Sequence, residues 1–144
     1  MGGQPTALER AAAVDAVIAA SRLCRTVQGR LSVGQTLTKS DDSPVTVADF
    51  ASQVVVADAL TLRLGAVDMV GEEQPDDLVG RPELLRAVGG LVGDGMGGRY
   101  EPDRVLELLA VGGGAGASDR WWTIDPIDGT KGFLRRQQFA VAVG

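Results

Sequence analysis

The chain has 144 residues, of which 44% are hydrophobic and 23% are charged, and its net charge at pH 7 is −5. This composition is typical of one folded globular domain and excludes the disordered, collagen-like and membrane-embedded classes. The acidic balance argues against a nucleic-acid polymer as partner, because proteins that bind one usually carry a basic surface. The sequence has no histidine and one cysteine, which excludes histidine-ligated zinc, histidine general bases and an intramolecular disulfide.

The N-terminal half predicts two long helices separated by a polar loop at residues 35–44. The first helix covers residue 6 to about residue 27, and one side of it is expected to hold Leu8, Ala11, Ala12, Asp15 and Ile18. Cys24 is interpreted as a small buried hydrophobe of this helix. The second helix is expected to begin with Thr46 as its N-cap and to end before Gly65.

The C-terminal half predicts short strands and helices in alternation. The expected strands cover residues 67–70, 121–125 and 139–143, and the expected helices cover residues 81–92 and 104–110. The glycines of residues 112–116 predict a flexible connector, and residues 126–132 predict a turn. No apolar run approaches the ~20 residues needed to cross a bilayer. We therefore expect no membrane partner, and the lack of disulfides fits a reducing, cytoplasmic compartment.

Two aspartates flank the turn that follows the second predicted strand. Asp125 ends that strand, and Asp128 follows across a turn that Pro126 stiffens. Two carboxylates that converge repel each other unless one takes a proton or a cation lies between them. Oxygen ligands without histidine or cysteine select a hard cation such as Mg²⁺. The alternative is that Asp128 belongs to a plain turn and Asp125 caps the strand end.

The residues directly after this pair predict a phosphate site. Gly129 and Thr130 offer backbone N–H groups and a hydroxyl, and consecutive free amides form a nest that binds anions. Metal ligands and an anion nest in one turn indicate a phosphate held against cations, which suits a small-molecule phosphate substrate. Lys131 either adds positive charge to the nest or is a solvated surface lysine.

Two further acidic positions have both a structural and a functional interpretation. Glu72 and Glu73 follow the first predicted strand, where they form either an exposed acidic turn or part of a metal site. Thr46 and Asp49 have the spacing of a capping box, in which Asp49 would satisfy the first turn of its helix. A carboxylate fixed at a helix start can also orient a neighbouring hydroxyl, so the two roles are compatible.

Three blocks of sequence, in this order, resemble the inositol monophosphatase superfamily. They are residues 39–53 (KSDDSPVTVADFASQ), 70–73 (VGEE) and 122–135 (WTIDPIDGTKGFLR). The Lys-Gly-Phe after Asp-Gly-Thr and the KSDDSPVT block are similar to the 3'(2'),5'-bisphosphate nucleotidase branch, since inositol monophosphatases usually carry Asn-Phe there. The resemblance implies an α/β layered sandwich of the sugar-phosphatase type, with N-terminal helices on a largely antiparallel sheet.

The resemblance also assigns roles to residues of this chain. The metal ligands that it implies are Glu72, Asp125, the backbone carbonyl of Ile127, and Asp128, with Mg²⁺ as the cofactor. Gly129 and Thr130 would hold the phosphate. Asp49 and Thr130 would together orient and deprotonate a metal-activated water that attacks phosphorus. Lithium sensitivity, a trait of the family, would follow from displacement of a magnesium ion.

The implied activity is magnesium-dependent hydrolysis of the 3'(2')-phosphate of adenosine 3',5'-bisphosphate (PAP) or of its sulfated relative PAPS. The products would be AMP or APS and phosphate, as in sulfur assimilation. A phosphatase of inositol phosphates is an alternative within the same class. A third alternative, from another class, is a catalytically inactive, truncated paralogue that acts as a binding or partner module.

The sequence departs from the family pattern in length and at one turn. Family members are about twice as long, and their second half supplies another aspartate ligand in a W-D-x-A-A-G type motif that these 144 residues lack. Arg136 and Gln137 stand where the branch usually has glycine and aspartate. We therefore expect residues 1–144 to be the N-terminal domain of such a phosphomonoesterase, truncated and without its C-terminal domain, and to turn over substrate feebly.

Overall fold

Helices and short strands share the chain much as the sequence predicts, and the α/β class is confirmed. The structure is a computed structural model that describes residues 3–31 and 43–144. Its elements are α1 (Ala7–Gly29), α2 (Pro44–Leu64), β1 (Met69–Val70), a short 3₁₀ helix (Pro75–Asp77), α3 (Pro82–Met96), α4 (Pro102–Val111), β2 (Trp122–Asp128), α5 (Thr130–Leu134) and β3 (Ala140–Val143). The predicted loop at residues 35–44 lies outside the described residues except for its last two positions.

Helix α1 begins with a capping box. The hydroxyl of Thr6 accepts a hydrogen bond from the Glu9 backbone N–H at 3.1 Å, and the Glu9 carboxylate accepts one from the Thr6 N–H at 2.6 Å. The helix packs mainly against α2 through a narrow stripe of buried residues: Ala12, Ala16, Ala20, Leu23, Cys24 and Val27.

The side of α1 that the sequence pattern identified lies outside the core in all but one of its residues. Leu8 and Ile18 are 52% and 43% exposed, and Ala11 and Asp15 are exposed as well. Only Ala12 of that set is buried. Small alanine side chains let α1 approach α2 closely, so the buried stripe begins with alanines, and Leu8 and Ile18 stay outside it.

Helix α2 starts earlier than the sequence suggested. Ser43 is its N-cap, with a hydroxyl that accepts from the Thr46 backbone N–H at 3.2 Å, and Pro44 occupies the first helical turn. The prediction of Thr46 as N-cap was wrong, because proline presets the backbone for the start of a helix and the serine before it supplies the cap. Gly65 ends the helix as predicted, at a φ of 78°.

Helix α2 is the centre of the hydrophobic core. Contrary to the sequence expectation, Val45–Leu64 is long and apolar enough to cross a membrane by length and composition, but 78% of its apolar window is buried inside the protein. The helix contacts α1, α3, α4, β2 and α5. This surrounding protein explains the apolar sequence of α2 as that of a core helix.

Helix α3 is longer than predicted because its glycines serve packing rather than ending the helix. A Cβ on Gly89 would lie 2.5 Å from the Tyr100 carbonyl oxygen, and a Cβ on Gly93 would lie 2.7 Å from the Gly98 carbonyl oxygen. Only glycine at these two positions lets residues 98–100 cross the helix surface so closely. The helix therefore continues past Gly93 and Gly95 to Met96.

The described strands form one mixed sheet in the order β1-β2-β3. Strands β1 and β2 are parallel and pair Val70 with Thr123, whereas β2 and β3 are antiparallel and pair Asp125 with Ala142. The first predicted strand is reduced to two residues, and β2 continues through part of the predicted turn as far as Asp128. The third predicted strand is confirmed in β3.

The glycine segment that we expected to be a flexible connector is instead bonded to β1. The Gly114 N–H donates to the Met69 carbonyl at 2.9 Å, and the Gly71 N–H donates to the Gly112 carbonyl at 2.8 Å. A side chain at Gly114 would collide with the carboxylate of Asp68 and the backbone of Met69. The glycines thus allow this segment to lie directly against the edge of the sheet.

Candidate active site

The parallel strand pair brings two predicted site segments to one edge of the sheet. Val70 pairs with Thr123, so Glu72 and Asp125 each follow that pair by two residues. Side chains that follow neighbouring parallel strands lie close together at the carboxyl edge of the sheet. The fold thereby places the Glu72 loop beside the start of the Asp125–Asp128 segment, and the Glu72 side chain is exposed there.

Asp125 has the most unusual environment among the predicted site residues. Its Oδ1 atom is buried and has no hydrogen-bond partner, and no other buried side-chain nitrogen or oxygen in residues 3–31 and 43–144 is in that state. Burial raises the pKa of Asp125, the nearby charge of Asp128 raises it further, and a hydrogen bond from the Ile127 backbone N–H opposes both. A buried carboxylate oxygen without a partner is costly, and a hard cation would provide the missing interaction.

The segment after Asp125 brings the remaining predicted ligands together. Asp128 ends β2 with an exposed side chain, Gly129 has a φ of 84°, and Thr130 opens helix α5. The side chain of Ile127 is buried in the core, with 4% of its surface exposed. Its backbone carbonyl is therefore the group that remains for the predicted role in metal binding.

The structure brings the carboxylates of Asp125 and Asp128 near each other, but within the described residues it places no third carboxylate with them. Within the described part of the chain, no group of three or more aspartate, glutamate, cysteine or histidine side chains is placed to hold a metal ion. Asp125 and Asp128 are close enough for the charge of one to raise the pKa of the other. The oxygen-only donor set and the unpartnered Asp125 Oδ1 fit a hard divalent cation, while the ligand role of Glu72 stays a prediction.

Asp49 lies inside α2 and is almost fully buried, at 4% exposed. The helix begins at Pro44, so Asp49 is beyond the first turn and the interpretation of Thr46 and Asp49 as a capping box was wrong. The Asp49 charge raises the pKa of Cys24, although burial of the thiol is the main cause that brings this pKa to about 12. Cys24 is thus an inert buried residue, as predicted.

Sequence reasoning missed two polar residues of α2 that hold the site segments in place. The hydroxyl of Ser52 donates to the Pro126 carbonyl at 2.9 Å. The side-chain amide of Gln53 donates to the Glu73 carbonyl at 2.8 Å and accepts from the Glu73 backbone N–H at 3.0 Å. Both side chains are fully buried. Their signal in the sequence was a pair of adjacent polar residues inside a mostly apolar helix.

A third polar side chain, Gln28 of α1, holds the turn between α5 and β3. Its Nε2 atom donates to the carbonyl of Phe133 at 3.2 Å and to that of Gln137 at 2.9 Å. Phe133 is fully buried and meets Phe139 edge to face, with 5.2 Å between ring centroids. In the same turn Arg136 adopts a positive φ of 59°, which a glycine would adopt without strain.

Comparison with known proteins agrees with this arrangement. The sequence model of the inositol monophosphatase family matches residues 7–144. The chain belongs to the inositol monophosphatase family. Members of the inositol monophosphatase family are metal-dependent phosphatases. This accords with the buried, unpartnered Oδ1 atom of Asp125 in the segment that leads to α5.

Curated relatives carry the name of the branch that the sequence blocks indicated. A 3'(2'),5'-bisphosphate nucleotidase of Oryza sativa is 40% identical over 153 residues, covering 98% of this chain and 43% of the relative. 3'(2'),5'-bisphosphate nucleotidase 1 of Arabidopsis thaliana is 41% identical over 145 residues, covering 92% and 41%. The protein of that name from Candida albicans is 40% identical over 119 residues, covering 75% and 33%. The chain spans less than half the length of these relatives.

Proposed function

We propose that this protein takes part in the magnesium-dependent hydrolysis of the 3'(2')-phosphate of adenosine 3',5'-bisphosphate or of its sulfated relative. The observation that carries the proposal is the buried Oδ1 of Asp125, which lacks a partner beside the like charge of Asp128. Relatives that are 40 to 41% identical are named 3'(2'),5'-bisphosphate nucleotidases, and this supports the substrate. A soluble nucleotide substrate in the cytoplasm, with neither a membrane nor a nucleic-acid polymer as partner, completes the proposal.

Four residues would hold the cation in this proposal, all of them through oxygen. They are Glu72, Asp125, the backbone carbonyl of Ile127, and Asp128. A bound Mg²⁺ would neutralise charge on the phosphate and lower the pKa of a water molecule. It would also relieve the repulsion between the two aspartates. The preference of Mg²⁺ over other hard cations follows from the direct contacts that it makes with substrate phosphates.

The start of α5 would receive the phosphate. Gly129 takes a left-handed conformation directly before the helix. The backbone N–H groups of the first turn of α5 therefore come directly after Asp128, the second residue of the acidic pair. Backbone N–H groups at such a turn favour an anion. The chain carries a net charge of −5, so the cation at Asp125 is what would make this acidic region attractive to phosphate.

Asp49 and Thr130 would prepare the attacking water. Asp49 is buried in the second turn of α2, and α2 contacts both β2 and α5. In the proposed reaction the hydroxyl of Thr130 helps to orient the water, and the carboxylate of Asp49 accepts its proton. The water oxygen then bonds to phosphorus as the bond from phosphorus to the ribose oxygen breaks, and the leaving ribose oxygen takes a proton from solvent water.

A phosphate-release assay with matched aspartate variants tests the proposal. Adenosine 3',5'-bisphosphate and inositol 1-phosphate are offered to the parent protein, to Asp49→Asn and to Thr130→Ala, with and without Mg²⁺. Asp94→Asn serves as the control, because Asp94 is exposed on α3. Magnesium-dependent binding of adenosine 3',5'-bisphosphate is measured in parallel by calorimetry, so that a low turnover does not hide a competent site.

The proposal predicts that the bisphosphate binds and releases phosphate only with Mg²⁺. Turnover should fall by about 10²-fold or more in Asp49→Asn and Thr130→Ala, as expected for loss of a proton acceptor or its partner, and stay unchanged in Asp94→Asn. Preference for inositol 1-phosphate would favour the inositol phosphate phosphatase instead. Binding of the bisphosphate that is indifferent to Mg²⁺ would contradict the proposal.

A further inference from the structure

Gln53 is a fully buried amide that makes two hydrogen bonds to a single residue of the loop after β1. Its Oε1 atom accepts from the Glu73 backbone N–H at 3.0 Å, and its Nε2 atom donates to the Glu73 carbonyl at 2.8 Å. A buried amide without partners is costly, so these bonds are strongly favoured once the helix is packed. The side chain thus attaches the Glu72 loop to the core helix at two points.

The two bonds hold the backbone next to Glu72. The N–H of Glu73 belongs to the peptide unit that directly follows the Cα of Glu72, and the carbonyl of Glu73 belongs to the next unit. The unit that directly precedes the Cα of Glu72 is held as well, because the Gln74 side-chain amide donates to the Gly71 carbonyl at 3.2 Å. Since peptide units are planar, the Gln53 amide restrains the backbone that carries Glu72 on its C-terminal side.

Two glycines enclose this amide from the sheet side. A Cβ on Gly71 would lie 2.6 Å from the Gln53 amide, and a Cβ on Gly112 would lie 2.5 Å from its Nε2 atom. The Gly71 N–H also donates to the Gly112 carbonyl at 2.8 Å. The amide is therefore pressed between two backbone segments, and no side chain larger than hydrogen fits at either glycine without moving it.

The residue before Gln53 holds the other half of the site. Ser52 donates to the carbonyl of Pro126 at 2.9 Å, and Pro126 directly follows Asp125. Neighbouring residues of one buried helix thus hold the Glu72 loop and the Asp125 segment. Because a helix in the core is rigid over two residues, α2 fixes the separation between the two segments in addition to the pairing of β1 with β2.

We propose that Gln53 is a positioning residue that sets the location of Glu72 relative to Asp125 and Asp128, and thereby the affinity of the site for Mg²⁺. Gln53 itself touches neither the cation nor the substrate and acts through the backbone of Glu73. The inference rests on the proposed function, in which Glu72 is a metal ligand. Residues that orient metal ligands in this way contribute about 10- to 100-fold to metal affinity in other proteins.

The test is a calorimetric Mg²⁺ titration of Gln53→Met, which keeps the volume of the side chain but removes both hydrogen bonds. We expect the dissociation constant for Mg²⁺ to rise about tenfold or more. The same substitution is then made in a Glu72→Gln background. If Gln53 acts through Glu72, the second measurement should show no further change, since the residue that it positions no longer binds the cation.

The matched control is Asp58→Asn, which alters another buried polar residue of α2 that bonds to Tyr100 and Arg104 instead of to a site segment. It should lower the melting temperature without changing the Mg²⁺ dissociation constant. If Gln53→Met unfolds the protein, Gln53→Asn gives the same test, because it keeps the amide but is too short to reach Glu73.

The outcomes separate this inference from the proposed function. A parent protein that does not bind Mg²⁺, or that binds it equally well after Asp125→Asn, overturns the proposed function and the inference with it. A parent that binds Mg²⁺ through Asp125 while Gln53→Met and Gln53→Asn leave the dissociation constant unchanged overturns the inference alone. An equal loss of affinity in the presence and absence of the Glu72 carboxylate also overturns it.

Discussion

Two aspartates, one buried in the scaffold and one half-buried in the site, have opposite surroundings in this fold. Asp58 on α2 is 5% exposed, and its carboxylate accepts from the Tyr100 hydroxyl at 2.5 Å and from Arg104 at 3.3 Å. Asp125 on β2 has an Oδ1 atom without a partner, and its charged neighbour is another carboxylate. The buried carboxylate is paired where the helices pack, whereas a buried carboxylate oxygen is left without a partner where the site lies.

The backbone shows the same contrast. Among the described residues, Arg136 is the one non-glycine residue with positive φ, and it lies in the turn that follows α5. The scaffold helices α1 to α4 contain no such residue. Unpaired charge and backbone strain both cost stability, and they persist where function depends on them. The pattern supports the interpretation of the Asp125–Thr130 region as the site and of Asp58 as part of the scaffold.

The largest expected effect on stability comes from removing the partners of Asp58 in the scaffold. Tyr100→Phe combined with Arg104→Leu leaves the buried carboxylate of Asp58 without its two partners. Removing the partners of a buried charge costs about 3 kcal/mol, which urea unfolding would measure. The Mg²⁺ dissociation constant should not change. A loss of stability below about 1 kcal/mol, or a weakened Mg²⁺ site, would show that Asp58 has a different role.

A smaller effect on stability is expected from relieving the backbone strain at Arg136, in the turn after α5. Arg136→Gly should raise the free energy of unfolding by about 0.5 to 1 kcal/mol, because glycine adopts a positive φ without steric cost but loses more chain entropy. Arg135→Gly is the matched control, since Arg135 has a φ of −86° and glycine there should destabilise the protein. Equal effects of the two substitutions would mean that the turn at Arg136 is not strained.

The smallest effect concerns the stability of the metal-free site. Because the pKa of Asp125 is raised in the fold, its ionised form lowers stability above that pKa, and protonation removes the penalty. Asp125→Asn should therefore stabilise the metal-free protein at pH 7 by about 0.5 kcal/mol, the size of a partly exposed charge interaction. The gain should shrink as the pH falls towards ~4, the ordinary range of an aspartate.

Thermal unfolding of the parent and Asp125→Asn across this pH range, with a chelator present, measures the difference. Glu9 shows the opposite behaviour, because its pKa is lowered in the fold whereas that of Asp125 is raised. Hydrogen bonds at the helix N-terminus lower its pKa to about 2, so its contribution to stability is lost as the pH falls. A stabilisation by Asp125→Asn that is constant from pH 4 to pH 7 would contradict the assignment of repulsion at this residue.

Local patterns predicted much of this molecule, and long-range contacts explain the rest. The cap at Gly65 and the acidic segment from Asp125 to Thr130 depend on neighbouring residues, so the sequence revealed them. The roles of Ser52 and Gln53 depend on partners at least 20 residues away, and a single sequence contains no signal for such pairing. The exposed side of α1 was missed for the same reason, because the choice between two helix faces is made by the partner helix.

The proposed role of the unpartnered Asp125 Oδ1 is to bind a cation. Calorimetric titration with Mg²⁺ of the parent, Asp125→Asn and the exposed control Asp94→Asn tests this role. We expect the parent and Asp94→Asn to bind Mg²⁺ with the same dissociation constant, and Asp125→Asn to abolish binding or weaken it at least about tenfold. Equal binding by the parent and Asp125→Asn would contradict it.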